Sequence, residues 1–186
     1  MLSVISTSIE AVKVITPKSF DDVRGTFCET YNRQRFYENG IRLDFVQDNQ
    51  SYSKLAGTIR GLHFQREPAA QDKLVRVLRG SVFDVAVDLR RSSPTYGKWV
   101  AETLSAENGK QLFVPRGFAH GFCTLEPETH VLYKASAYYS SADELGIAWN
   151  DADIAIHWPT VAKASAVLSN KDMRLPAFHS LTTYFE

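Results

Sequence analysis

The sequence predicts an all-β fold, a sandwich or barrel of short strands. Three observations predict it. Short alternating apolar and polar stretches recur through the middle of the chain, turn residues cluster between them, and helical periodicity is scarce. The strands are evenly spaced and no helices alternate with them, which argues against βαβ units. The segment 32–40, ending in Gly40, predicts one short helix with that glycine at its C-cap. Leu74 to Leu78 alternates, Arg79-Gly80-Ser81 offers a tight turn, and Val82 to Leu89 alternates again. This predicts a hairpin. Ser92 to Gly97 predicts a loop, Trp99 to Leu104 a strand, and Ala106 to Gly109 a turn. Gln111 to Val114, Gly117 to Leu125 and His130 to Tyr139 complete the strand series. The remainder, 160–186, predicts largely irregular chain or short helix.

Composition narrows the function classes. At 186 residues the chain is expected to form a single domain over 1–186. A chain of this size buries ~70% of its unfolded surface, so a large core is within reach. Lys+Arg and Asp+Glu are both 21, which gives no bulk charge for nucleic acid or a membrane surface. Neither partner is expected. Cys28 and Cys123 are far apart in sequence and predict reduced thiols in a cytoplasmic protein. The first residues lack a basic segment followed by an apolar run, so no secretory signal is expected. No apolar stretch approaches bilayer length.

Two related stretches carry the most information. Gly57-Thr-Ile-Arg60-Gly-Leu-His63-Phe-Gln65 is echoed by Gly109-Lys-Gln-Leu-Phe-Val-Pro115-Arg-Gly117-Phe-Ala-His120. Together they resemble the two signature halves of the cupin superfamily, whose fold is a double-stranded β-helix, or jelly-roll, barrel. That resemblance implies a metal shell with a second histidine two residues after His63 and a glutamate shortly after. Gln65 stands at the first position, and Ala69 and Ala70 stand at the second. The expectation is a site without metal or cofactor, working by acid–base chemistry.

A closer family match runs nearly end to end. Its blocks are Asp22-Val-Arg24-Gly25-Thr-Phe27-Cys-Glu29, Phe45-Val-Gln47-Asp48-Asn49-Gln-Ser51, Gly57 to Gln65, and Gln71-Asp-Lys73-Leu-Val-Arg76. They continue with Gly80 to Arg90, Ser93 to Trp99, Phe118-Ala-His120-Gly-Phe122, Tyr133-Lys134, Glu144 to Asp151, and Leu168-Ser-Asn-Lys171-Asp172. In order and density these resemble the dTDP-4-dehydrorhamnose 3,5-epimerase family. The resemblance implies a homodimer that exchanges N-terminal strands, a role the segment Val12 to Phe20 would fill. It implies inversion of two carbons flanking the ketone of a dTDP-4-keto-6-deoxyhexose. Those protons are acidic because the carbanion delocalises onto the ketone oxygen. The reaction therefore needs a base, an acid on the opposite face, and positive charge at the oxygen.

The residue types suit those tasks. His63 is the expected base, since imidazole titrates at ~6.5. The resemblance implies Asp172 as its carboxylate partner, which would fix the tautomer and stabilise the imidazolium. Tyr133 is the expected acid, protonated at neutral pH with an ordinary pKa of ~10. Lys73 would stabilise the enolate oxygen. His120 would contact the sugar, and Asp84 would orient His120 or Lys73. Arg24 and Arg60 match residues that bind the diphosphate or sugar, and a guanidinium fork suits phosphate oxygens. Glu29, Gln47 and Asn49 match positions around the base, and Glu144 and Lys171 match further substrate contacts. Tyr139, on the alternation face of Tyr133, or Tyr138 beside it, would stack on the thymine.

One conflict is internal to the pattern. Strict alternation puts Arg60 and His63 on opposite strand faces, and Gly61 would have to seat a bulge to bring both inward. Two other functions fit the same residues. A mono-epimerase would address one carbon only, and a nucleotide-sugar-binding barrel would bind without turnover.

Overall fold

The computed structural model describes residues 2–186, apart from the side chain of Ser165. Thirteen strands are observed among them: β1 Ser3–Ser6, β2 Lys13–Thr16, β3 Ser19–Asp22, β4 Gly25–Cys28, β5 Gln47–Ser53, β6 Ile59–Gln65, β7 Lys73–Arg79, β8 Ser81–Asp88, β9 Trp99–Ser105, β10 Gln111–Val114, β11 Phe118–Thr124, β12 Thr129–Ala135 and β13 Glu144–Gly146. Two short helices, α1 Arg33–Glu38 and α2 Thr160–Ser165, and 3-10 turns at Asp172–Arg174 and Phe178–Ser180 complete the order. One sheet runs β1-β2-β10-β7-β12-β5 and the other β13-β6-β11-β8-β9. β3 and β4 form a separate two-stranded ribbon. Every pairing between these strands is antiparallel. The double-stranded β-helix expected from sequence is the architecture observed.

Alternation assigns the layers. On β8, Val82 and Ala86 join Val75, Leu112 and Phe122 between the sheets. Val85 and Val87 face the other way, into a second cluster with Trp158, Ile154 and Phe185 from the C-terminal segment. Both faces of β8 are thus covered, which explains its almost unbroken apolar character. A third cluster lies outside the six-stranded sheet, where Phe36 and Ile41 at α1 pack on Ile15, Leu74 and Phe113. Asn32 caps α1 by accepting from the Arg35 N–H at 3.2 Å. The C-cap is Asn39, one residue before the expected glycine, and Gly40 follows it with φ +85°.

Two expectations about strands are corrected. β7 and β8 are not a hairpin. β7 pairs with β10 and β12, and β8 pairs with β11 and β9, in opposite sheets. Gly80 turns the corner between them with φ +77°, where a Cβ would collide with Thr129. A tight turn between two alternating runs looks the same in sequence whether it joins neighbours or crosses layers. The strand expected over His130 to Tyr139 ends at Ala135. There the Ser136 hydroxyl accepts from the Asp72 N–H at 2.8 Å, and Gln71 donates to the Ala137 carbonyl at 2.8 Å. Side chains thus take over from the ladder. Within this chain, β2 in the segment Val12 to Phe20 lies between β1 and β10 of one sheet.

Candidate active site

A cavity of about 400 Å³ opens between the two sheets and is closed on one side by the segment 167–172. Two larger depressions, about 650 and 620 Å³, lie elsewhere, and no histidine lines either of them. Volume therefore does not locate the chemistry. The 400 Å³ cavity does, because Arg60, His63, Lys73, His120, Tyr133, Lys171 and Asp172 all line it.

β6 resolves the conflict between Arg60 and His63. Across from β11, His63 pairs with His120 but Arg60 pairs with Phe122, so three steps on β6 match two on β11. The extra residue is a bulge at Gly61-Leu62. Ile59, Leu62 and Phe64 face the outer cluster, while Arg60 and His63 both face the cavity. Two glycines make this possible. A Cβ on Gly61 would lie 2.6 Å from Gly121 Cα and 2.8 Å from the His120 carbonyl oxygen, at φ +130°. A Cβ on Gly121 would lie 2.7 Å from the Arg60 carbonyl oxygen.

His63 Nε2 is 2.7 Å from Asp172 Oδ1. Asp172 is buried at the start of a 3-10 turn, and its N–H donates to Ser169 Oγ at 3.1 Å. Burial works to raise its carboxyl. The hydrogen bond and charge of His63, with Ser169 and the Gly61 N–H, outweigh burial and hold it below the usual aspartate range. A carboxylate on Nε2 fixes the proton there and leaves Nδ1 as the acceptor.

A second pair stands beside the first. His120 Nε2 is 2.8 Å from Asp84 Oδ1, with both side chains buried. Asp84 therefore contacts His120 and makes no ion pair with Lys73. Its Oδ2 has no hydrogen-bond partner among the described residues. Asp88, two alternation steps along the same face, is fully satisfied. It accepts from Arg90, Ser93 and Thr95 at 2.6–2.9 Å.

Lys73 enters the cavity from β7 in the opposite sheet. Part of its surface faces the cavity, but protein encloses the rest. Burial pushes the ammonium down to about 8, against the opposing pull of the Asp84 and Glu144 carboxylates. Burial also raises the Tyr133 phenol above the usual tyrosine range, aided by Glu144 and opposed by Arg60.

The rim is a connected polar chain. Lys171 Nζ meets Glu144 Oε2 at 2.5 Å, and Tyr139 OH donates to the same oxygen at 2.6 Å. Burial raises the Glu144 carboxyl, but the hydrogen bonds from Lys171 and Tyr139 outweigh it and hold it low. The Tyr139 N–H donates to Gln47 Oε1 at 3.0 Å, and Gln47 Nε2 donates to Asn49 Oδ1 at 2.8 Å. Tyr139 reaches the rim from beyond β12, so the strand alternation expected to place it does not extend that far. Tyr138 is more exposed still, at 72%.

Arg24 and Glu29 are not brought to the cavity within this chain. Arg24 lies at the turn of the β3–β4 ribbon, exposed and paired with Asp22. Glu29 pairs with Arg35 at 2.9 Å and lines the 620 Å³ depression.

Several site residues were not singled out from sequence. Ser53 Oγ accepts from Arg60 Nε at 3.2 Å and, with the Tyr52 carbonyl, aims the guanidinium. Ser169 had a readable signal, since a serine three residues before an aspartate opens a helical turn. Gln65 is buried and does not line the cavity. It donates to the carbonyls of Ala69 at 2.6 Å and Tyr138 at 3.2 Å, and accepts from the Ser140 N–H at 2.9 Å. Among the described residues, no three His, Cys, Asp or Glu side chains converge on a point that could hold a metal ion. No helix there is long and apolar enough to cross a membrane.

Comparison with known proteins gives the family. The family model described as dTDP-4-dehydrorhamnose 3,5-epimerase matches residues 6–180. The dTDP-4-dehydrorhamnose 3,5-epimerase of Sinorhizobium fredii is 51% identical over 181 residues, 97% of this chain and 92% of that protein. A crystal structure of a Legionella pneumophila dTDP-6-deoxy-D-glucose-3,5-epimerase in complex with dTDP-4-keto-L-rhamnose superposes with a TM-score of 0.93. It is 43% identical and covers 98% of this chain and 95% of its own. A 3'-monoepimerase from Streptomyces bikiniensis in complex with dTDP-quinovose superposes at 0.87 with 28% identity, covering 94% of this chain and 87% of its own. With a match across almost its whole length, the chain belongs to the dTDP-4-dehydrorhamnose 3,5-epimerase family.

Proposed function

We infer that the chain is an isomerase that inverts C3 and C5 of dTDP-4-dehydro-6-deoxy-α-D-glucose to give dTDP-4-dehydro-β-L-rhamnose. The observation that carries this reading is His63, reachable from the cavity and backed by Asp172 at 2.7 Å, opposite Lys73 and Tyr133. His63 takes the proton from the carbon next to the ketone. The electron pair moves onto the ketone oxygen as an enolate, beside the Lys73 ammonium. Tyr133 returns a proton to the other face of the carbon and is itself reprotonated before the next cycle. Before the second carbon is inverted in the same way, His63 gives up its proton and Tyr133 regains one by exchange with solvent. No redox step is needed, and the chemistry is complete with protein side chains.

Binding is assigned along the cavity. Arg60 and Lys171 take the diphosphate, and His120, held by Asp84, contacts the sugar. Gln47, Asn49 and Glu144 hold the nucleoside end, where Tyr139 or Tyr138 stacks on thymine. Arg24 and Glu29 reach the site of a second copy in a homodimer. The exposed apolar Phe20, Val23 and Phe27 on the β3–β4 ribbon support this, because a lone two-stranded ribbon is marginal in water. The chain acts as one domain. The unpaired thiols Cys28 and Cys123 suit a cytoplasmic enzyme.

A second reading keeps the base and narrows the outcome to one carbon, as in the Streptomyces relative. Identity of 51% to the 3,5-epimerase against 28% to the mono-epimerase favours the first. NMR of the 4-keto-6-deoxyhexose nucleotide in deuterated water decides it. Deuterium is expected at both C3 and C5. Deuterium at one carbon sinks the double inversion, and binding without deuterium leaves only a nucleotide-sugar-binding barrel.

A further inference from the structure

Three buried side-chain polar atoms lack a hydrogen-bond partner among the described residues: Ser51 Oγ, Asp84 Oδ2 and Gln111 Oε1. Ser51 alone of these three residues lines the cavity. Its neighbours on the same face of β5 are all engaged. Gln47 and Asn49 bond to each other, and Ser53 holds Arg60. An unpaired hydroxyl in an otherwise satisfied row is unfavourable in the free protein. It is left available for something that enters the cavity.

Register says what that something is. Asn49 lies opposite Tyr133 on β12, and Ser51 lies opposite Val131. Ser51 is therefore about 6.6 Å along the strand from the acid's partner, in the direction of Ser53 and the guanidinium it anchors. A ligand with its reacting ring at Tyr133 and its diphosphate at Arg60 must pass its sugar–phosphate junction over Ser51. We propose that the Ser51 hydroxyl donates to an oxygen of the sugar-bearing phosphoryl group, a contact that sets how deep the ring sits between His63 and Tyr133. This rests on the nucleotide-sugar reading above.

A hydrogen bond to a charged oxygen sets the expected loss. Ser51→Ala should weaken dTDP binding by about 10- to 100-fold in titration calorimetry. Binding of dTMP, which lacks that phosphoryl group, should change by less than about twofold on the same physical basis. KM for the 4-keto sugar nucleotide should rise with the dTDP dissociation constant. The ligand-free melting temperature should not fall, because an unsatisfied polar atom is removed. Ser51→Thr keeps the hydroxyl and should restore most of the dTDP affinity. Unchanged dTDP affinity in Ser51→Ala overturns the proposal, as does an equal loss for dTMP. A wild-type protein that fails to bind dTDP at all would instead overturn the nucleotide-sugar reading itself.

Discussion

The two histidine–aspartate pairs are built from the same parts and differ in how they end. His63 and His120 are direct cross-strand partners, and each holds an aspartate on Nε2 at 2.7 and 2.8 Å. The His63 side chain keeps 26% exposure toward the cavity and His120 keeps 8%. Among the described residues, Asp172 has no buried oxygen without a partner, whereas Asp84 has one. A base must meet its substrate and must be able to carry a proton without its carboxylate moving. The first pair meets both conditions. The second is more enclosed in the cavity wall and suits a contact of constant orientation. One geometric motif thus serves turnover at one position and placement at the other.

The sharpest way to break this contrast is to remove each imidazole. His63→Ala should lower deuterium exchange at both carbons by about 10²- to 10⁴-fold, with dTDP affinity nearly unchanged by calorimetry. His120→Asn should mainly raise KM and lower kcat by only about tenfold, the cost of one hydrogen bond. Equal losses of kcat would erase the distinction.

Lys73 faces both pairs and comes next. Lys73→Met should lower kcat by about 10²- to 10³-fold through loss of the charge at the enolate. The wild-type rate should fall as pH rises through about 8, where Lys73 loses its proton. Lys73→Arg keeps its charge and should abolish that alkaline limb in a rate–pH profile.

The bulge that brings the histidines level is tested by Gly61→Ala. A Cβ there meets backbone atoms of Gly121 and His120 that cannot swing aside. Stability in urea should drop by about 2–3 kcal/mol. An unchanged midpoint would mean that the close approach is not required.

The smallest effect is expected in acid. The Asp172 carboxyl is held below its ordinary value in the fold. Its contribution to stability is therefore full above the unfolded value of ~3.9 and fades as pH falls toward the folded one. The stability gap between wild type and Asp172→Asn should narrow from pH 6 to pH 3 in urea titrations. A gap that widens in acid would reverse the assigned sign.

Much of this was readable in the residues. Alternation located β7, β8, β9, β10 and β11 to within a residue or two, because strands buried on one or both faces must show it. It failed where the backbone departs from a ladder. Arg60 and His63 needed a bulge whose cause, the approach of Gly61 to Gly121, pairs residues sixty apart in sequence. The turn at Gly80 was legible as a turn but not as a change of sheet, since which neighbour a strand chooses is decided by the rest of the barrel. The blocks around His63, Lys73, Tyr133 and Asp172 pointed at residues that do meet in one cavity. Arg24 and Glu29 were equally conspicuous, yet nothing in a single chain draws them there. Ser53 was missed because a small hydroxyl that holds another side chain looks like ordinary polar filler.

Gln65 has a consequence for what this barrel can become. It stands where metal-binding relatives of the fold would offer a second histidine, but its amide clamps the loop after β6 to the chain leaving β12. A histidine placed there would surrender three contacts at once and would still lack the glutamate of a metal shell, since Ala69 and Ala70 stand in its place. The step back toward a metalloenzyme begins with a loss of rigidity and no immediate gain in function. Such a route is uphill at its first substitution, and the clamp acts as an evolutionary ratchet.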